Sequence, residues 1–306
     1  MPKYQNVLDS PNTNTIFMIW NFKENTDYKT VFKKLCSLVI NLNHSANTRF
    51  PETQSSVVLG ISYEAWLKLD LPKPLPRELK PFVSIKGKKH EAVSTKADIH
   101  FHIRSNNQSY CVDIVSNLTD LLKDVATCQE EIHGFRYWDG RSILGFVDGT
   151  ENPQDKERIT FGLIGKEDSN YQNGSYLFVQ KYLHDMQAWK NLPISEQEKI
   201  IGRTKVNDIE MDDDEKPSNS HSALANVGDD KKIVRDNMPF GNISTNEMGT
   251  YFIAYARKFS IVKEMLERMF IGEPVGNYDR ILDFSKAKTG TLFFVPSFDL
   301  LDQLSD

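Results

Sequence analysis

Cysteine is scarce in this chain. Cys36, Cys111 and Cys128 are the three present among 306 residues, and no two stand in a C-x-x-C spacing. That excludes a disulfide scaffold and a zinc ribbon, and the three read as buried thiols of a reducing compartment. An excess of basic charge is also lacking. Lys and Arg number 37 against 42 Asp and Glu, for a net charge of −5, so there is no footprint for nucleic acid or an anionic membrane. No apolar run approaches the roughly 18 residues of a membrane span. The opening "MPKYQNVLDSPNTNTIFMIW" lacks the basic-then-apolar order of a secretory signal. The expectation is a cytoplasmic protein that binds neither nucleic acid nor membrane.

What is present is an ordinary globular composition, 39% hydrophobic and 26% charged, in a chain long enough for one large domain or two of common size. The pattern favours two. Thr15 to Trp20 form an apolar strand, and "DYKTVFKKLCSLVINL" repeats apolar residues at helical spacing. "SSVVLGIS" is a second strand. "ADIHFHIRS" alternates, with Ile99, Phe101 and Ile103 on one face and His100 and His102 on the other; the histidine face reads as solvated rather than as a metal chelate. The helix "SYCVDIVSNLTDLLKDVATC" and a strand at "GFRYW" complete a strand-helix-strand-strand-helix-strand order, the ferredoxin-like unit.

The second half replays this plan. "SYLFVQKYLH" is a strand, and "SEQEKIIGR" is a helix with a glycine cap. A polar loop from about Val206 to Gly241 intervenes before "TYFIAYARK" (strand), "SIVKEMLERMF" (helix) and "TGTLFFVPS" (strand). The expected architecture is α+β: two ferredoxin-like domains, residues 1–144 and 145–306, with antiparallel sheets and helices duplicated between them. The aromatics Tyr137, Trp138 and Tyr251 read as core packing rather than as electron relays.

Three stretches carry candidate chemistry. "GFVDGTENP" places Asp148 next to a glycine on a loop, where the backbone can approach a ligand closely; an Asx-type turn is the plainer alternative. The middle loop holds His221 in "SNSHSA", and Arg235 and Asn237 in "RDNMPFG". Loops of that length inside a compact domain are usually functional or disordered. Taken singly, His221 fits a hydrogen-bonded core histidine and Arg235 a surface ion-pair partner. The acidic run Asp212 to Glu215 reads as solvated loop.

In this order and spacing, "GFVDGTENP", "SNSHSA" and "RDNMPFG" resemble the dye-decolorizing (DyP-type) haem peroxidases. "RYWDGRSILGF", "IIGR" and "DRILDFSKAKTGTLFFVPS" extend the resemblance over most of the chain. The length and missing signal are similar to the short intracellular subgroup. The resemblance implies haem b held mainly by the second domain, with His221 as the axial ligand to iron. It implies Asp148, Arg235 and Asn237 on the distal side, with Gly149 and Thr150 beside the cofactor. Asp283 is then the acid that bonds the other nitrogen of His221. The implied activity is reduction of hydrogen peroxide with oxidation of small organic reductants such as dyes and phenols, in a homodimer or larger homo-oligomer. Two rivals are a haem-binding or iron-releasing protein with little turnover and a ferredoxin-like dimer without cofactor.

The residue types suit that chemistry. A carboxylate at Asp148 can take a proton from peroxide and return it to the departing oxygen. The guanidinium of Arg235 stays cationic and stabilises negative charge as it develops. An acid on the far nitrogen of His221 makes the imidazole a stronger donor.

Overall fold

The fold is taken from a computed structural model that describes residues 3–306. In the first half β1 (Asn14–Phe22), α1 (Tyr28–Arg49) and β2 (Ser56–Ser62) are followed by the short helix α2 (Tyr63–Lys68). A small ribbon, β3 (Ile85–Lys86) with β4 (Glu91–Ala92), precedes β5 (Ile99–Ser105), α3 (Gln108–Leu122) and β6 (Ala126–Phe135). Local signals start the helices. The Asp27 side chain accepts from Thr30 N at the head of α1, and Asn107 accepts from Ser109 N at the head of α3, each satisfying a backbone donor that the helix leaves open.

The second half contains α4 (Asp155–Gly162), β7 (Ser175–His184), α5 (Met186–Lys190), α6 (Ile194–Ile201) and α7 (His221–Ala225). It continues with β8 (Val234–Arg235), β9 (Met238–Asn242), β10 (Glu247–Ala256) and α8 (Phe259–Phe270). A 3-10 turn (Arg280–Asp283) leads to β11 (Ser285–Ala287), β12 (Thr291–Val295) and α9 (Phe298–Ser305). Gly202 ends α6 in the left-handed region, φ 86°, as the sequence suggests.

The strand order of the first half is β2-β5-β1-β6 and that of the second is β12-β7-β10-β9. Both are antiparallel and both follow the ferredoxin-like order. The two half-sheets also join edge to edge. β2 pairs with β12, and β6 meets β9 at Gly134 and Phe240, so the strands close into a ring without an open edge at those seams.

Closure buries both faces of β1, β2, β5 and β12, whereas one face of β6 stays exposed. Outward, Ile99, Phe101 and Ile103 pack with α1 and α3 residues such as Leu35 and Leu118. Inward, Phe17, Val58, Leu177, Ile253 and Phe293 fill the space between the half-sheets. His100 and His102 face inward and have no exposed surface. The alternation is therefore as read, but the solvated face is wrong, because the second half-sheet covers it.

Other expectations need similar correction. The strand expected at "GFRYW" starts earlier and ends at Phe135. Trp138 follows it in a turn at φ 48° and is 77% exposed, so it is not core, whereas Tyr251 is buried. Cys36 and Cys111 are buried and Cys128 only partly so. The polar loop hides β8 and β9; Pro239 and Gly241 disguise β9 as a breaker segment, although both residues sit in the ladder with β10. The acidic run lies in an exposed turn, where Lys216 pairs with Asp213.

Candidate functional site

A cleft of about 1500 Å³, its mouth included, opens in the second half and is lined by Asp148, Gly149, Thr150, His221, Arg235 and Asn237. The sequence-selected residues therefore meet in one place, with the exception of Asp283. Much of the remaining lining is apolar, including Leu144, Phe252, Met265, Leu266 and Ile281.

The carboxylate group is assembled from two segments. Asn237 donates from Nδ2 to both carboxylate oxygens of Asp148, at 3.2 Å each. Its Oδ1 accepts the Ile253 backbone N–H at 3.1 Å, which fixes the amide orientation and so the direction of the donor. Asp148 is carried on a turn whose next residue, Gly149, has φ 80°; a Cβ there would stand 3.0 Å from Asn152 Nδ2. Glycine is required both by the left-handed backbone and by that neighbour. Asn152 then pairs like a strand residue with Arg235, accepting its N–H at 3.0 Å and donating to its carbonyl at 2.8 Å. This side chain ties the Asp148 loop to β8. The Arg235 guanidinium lines the cleft with no carboxylate in ion-pair range among the described residues.

The imidazole group is more compact. His221 opens α7, and its Nδ1 lies 2.7 Å from Oδ2 of Asp279, which has no exposed surface. Asp279 caps the 3-10 turn, its Oδ1 accepting from Ile281 N at 3.0 Å, and its own N–H donates to Met269 O at 2.9 Å. Both carboxylate oxygens are thereby committed. With a proton held at Nδ1, the lone pair of His221 is on Nε2.

The assignment of Asp283 as the partner of His221 is corrected by this geometry. Asp283 lies at the other end of the 3-10 turn, where it accepts from Lys89, His90 and Tyr278. Burial raises its pKa, but the hydrogen bonds from Lys89 and His90 outweigh that and the net shift is downward. Three residues separate the two acids, enough for one to face the buried end of His221 and the other the surface. Asn152 and Asp279 were both missed as site residues. Asn152 stands inside the motif already quoted, and Asp279 precedes "RILD" as a cap.

Two other histidines compare poorly with His221. His184 also lines the cleft, but both of its nitrogens are engaged, with Ser285 Oγ and Thr250 Oγ1 at 2.8 Å each. Burial pushes its pKa down to about 4, so it is neutral. His133 is exposed and bonded to Glu131.

The residues fit a haem. A flat, mostly apolar macrocycle suits an apolar cleft. An imidazole with one nitrogen on a buried carboxylate and the other available is the donor arrangement expected of an axial ligand. His221 is the residue that would take iron, and Asp148, Asn237 and Arg235 are the polar groups that would meet peroxide.

Comparison with known proteins agrees. The family described as Dyp-type peroxidase matches in two parts, its N-terminal part over residues 5–136 and its C-terminal part over 139–300. The chain is 47% identical over 272 residues to a dye-decolorizing peroxidase of Rhodococcus erythropolis, covering 88% of this chain and 80% of that one. A relative of the same name from Mycobacterium tuberculosis is 47% identical over 270 residues, 87% of this chain and 80% of that one. Among solved structures, a dye-decolorizing peroxidase of Bacteroides thetaiotaomicron superposes with a TM-score of 0.97 at 50% identity, covering 99% of this chain and 98% of that one. A variant of DypB from Rhodococcus jostii, solved in complex with heme, superposes at 0.92 and 42% identity over 99% of this chain and 98% of that one. The fold, the cleft and these likenesses lead to one conclusion: the chain belongs to the dye-decolorizing, or Dyp-type, peroxidase family.

Proposed function

We propose that this haem peroxidase divides its work between the two groups that line the cleft. The observation that carries the reading is their presence in one apolar cleft: His221 backed by buried Asp279, and Asp148 clamped by Asn237 beside the uncommitted cation of Arg235. Bound haem supplies the capacity to take two oxidising equivalents from hydrogen peroxide and pass them to a reductant. His221, with Nδ1 on Asp279, would hold the iron through its other nitrogen. Asp279 keeps the proton on Nδ1, giving the ring anionic character and making it a stronger donor.

Asp148 takes the proton of incoming peroxide and returns it to the oxygen that leaves as water. Asn237 holds both carboxylate oxygens, so the acceptor does not swing away. Arg235 stabilises negative charge on peroxide while the proton is in transit. Gly149 and Thr150 line the cleft and would form the part of the loop beside the cofactor.

The substrates are hydrogen peroxide and a reductant, which we take to be a small organic molecule such as a dye or phenol. We also take residues 1–144 and 145–306 as the two domains, since each contains one complete half-sheet, and the working form as a homodimer or larger homo-oligomer. A cytoplasmic site of action is supported by the cysteines. Cys36 and Cys111 are pushed up to about 12 by burial, which suits inert thiols, and no described helix is long and apolar enough to cross a membrane.

The test is Arg235→Leu. The haem-loaded variant should react with peroxide about 10²–10³-fold more slowly than wild type, followed as the Soret change in stopped flow, with haem content unchanged. A wild-type rate would remove Arg235 from the role and favour a haem-handling protein.

A further inference from the structure

Between Arg235 and Asn237 stands a residue that the steps above do not use. Strand alternation turns the Asp236 side chain away from the cleft and into the interior of the ring, where it is 2% exposed. Arg104 of β5, from the opposite half-sheet and with no exposed surface, donates from one terminal nitrogen to Asp236 Oδ2 at 2.6 Å. The same nitrogen lies 3.4 Å from the Asp9 carbonyl, and the other terminal nitrogen bonds the Asn6 carbonyl. His102 Nε2 is 3.5 Å from the same Asp236 oxygen, and His102 Nδ1 is 2.8 Å from the Tyr255 hydroxyl.

The ladder beneath these residues is weak where the chemistry needs it firm. Arg235 pairs with Ala254, and Met238 with Tyr251. In the step between them the Asp236 N–H reaches Ile253 O at a long 3.3 Å, and the Ile253 N–H goes to the side chain of Asn237 instead of a carbonyl. The backbone that aims Arg235 and Asn237 is thus fixed by side chains. A buried ion pair is a poor source of net stability, since apolar residues of similar volume often serve better. Its geometry, with one charged hydrogen bond to Asp236 and the rest of the planar guanidinium held by the Asn6 and Asp9 carbonyls, is suited to fixing position.

We propose that Arg104, acting through Asp236, is a positioning residue of the peroxidase site: from the first half-sheet it fixes the backbone step that directs Arg235 and Asn237 into the cleft. The inference rests on the roles given above to Arg235 and Asn237. It also gives the first half of the chain a part in the reaction although it supplies none of the side chains that meet peroxide.

The experiment compares haem-loaded wild type with Asp236→Asn, Arg104→Leu, Arg104→Lys and Arg235→Leu. Three quantities are read: the second-order rate with hydrogen peroxide, haem content, and amide hydrogen exchange at residues 234–238 and Ile253. Asp236→Asn keeps the shape and removes the charge. It should slow the peroxide reaction about 10- to 100-fold, the range for a small misplacement of reacting groups, with faster exchange confined to those amides and haem content unchanged. Arg104→Leu should do the same, and Arg104→Lys should recover part of the rate, because a point charge reaches the carboxylate without spanning the two carbonyls.

A wild-type rate and wild-type protection at Ile253 in Asp236→Asn would overturn the proposal. So would protection lost evenly over all the ring strands, or misfolding of both Asp236→Asn and Arg104→Leu, since either assigns the pair to general stability. Where only Arg104→Leu fails to fold, Asp236→Asn decides. If Arg235→Leu is slow while Asp236→Asn reacts normally, the positioning role alone fails; if Arg235→Leu is itself fast, the reading of the site fails with it.

Discussion

His221 is held by one carboxylate from a turn in the same half of the chain, while Asp148, Arg235 and Asn237 are held from several directions at once. Asn152 grips the backbone of Arg235, Ile253 orients Asn237, and Arg104 seats Asp236 from the other half-sheet. An axial ligand needs one lone pair in one direction. Groups that move a proton and stabilise charge must keep several atoms in register, and any looseness costs rate. The difference in construction matches the difference in the tasks proposed for them. Damage near His221 should therefore show first in cofactor retention, and damage near Asp148 in reaction rate.

The largest effect expected from this contrast is in His221→Ala. That variant should lose most of its haem or hold it weakly, whereas Asp148→Ala should load fully, because the role proposed for Asp148 does not include binding iron. The haem-to-protein ratio after reconstitution and desalting measures both. An unchanged Soret band in His221→Ala would remove it from the ligand role, and His184, already committed to two hydroxyls, would have to be reconsidered.

Asn152→Ala probes the bracing of the carboxylate group. Two hydrogen bonds to the Arg235 backbone are lost, each worth about 0.5–1.5 kcal/mol net. The peroxide rate should fall about tenfold while haem content stays at the wild-type level. Loss of haem with a normal rate per bound haem would contradict the division of labour.

Acid should also act unequally. Burial pushes His100, in the ring interior near Tyr251, down to about 3. In the unfolded chain a histidine takes up its proton near pH 6.5, so the folded protein binds fewer protons than the unfolded one between about 6.5 and 3. Stability is then complete above that window's upper edge and is lost as pH falls through it. Between pH 6.5 and 5 the loss is on the order of 2 kcal/mol for this residue. Urea midpoints at pH 7 and pH 5 should converge in His100→Leu relative to wild type; equal pH sensitivity in the two proteins would show that His100 is not the titrating group.

How legible this was depends on the range of the interactions involved. Alternation in "ADIHFHIRS" identifies β5 and its two faces, because period 2 is local. That both faces are buried is not local: the strands of the second half cover His100 and His102, and nothing within the first half announces it. β9 was obscured by Pro239 and Gly241, whose local preference is overridden by pairing with β10. Asp148, His221, Arg235 and Asn237 stood out through the motifs they share with the peroxidases. Asn152 and Asp236 lie within or beside those motifs, but their partners are 83 and 132 residues away, which no short pattern encodes.

Asp279 and Asp283 illustrate the limit most sharply, and the smallest predicted effect concerns them. Both are carboxylates in "NYDRILDFS", and spacing alone favours neither. The 3-10 turn decides, placing Asp279 against His221 and Asp283 against Lys89 on the surface. Asp279→Asn replaces the acceptor of the Nδ1 proton with a neutral amide, so the imidazole loses anionic character and the Soret and charge-transfer bands of the ferric protein should shift. Asp283→Asn should leave those bands in place and change stability by no more than about 1 kcal/mol, the worth of a solvent-accessible pair. Absorption spectra of the two haem-loaded variants, recorded beside wild type, separate the assignments. A shifted spectrum in Asp283→Asn with an unmoved one in Asp279→Asn would restore the acid that the sequence pattern suggested and overturn the one that the geometry selects.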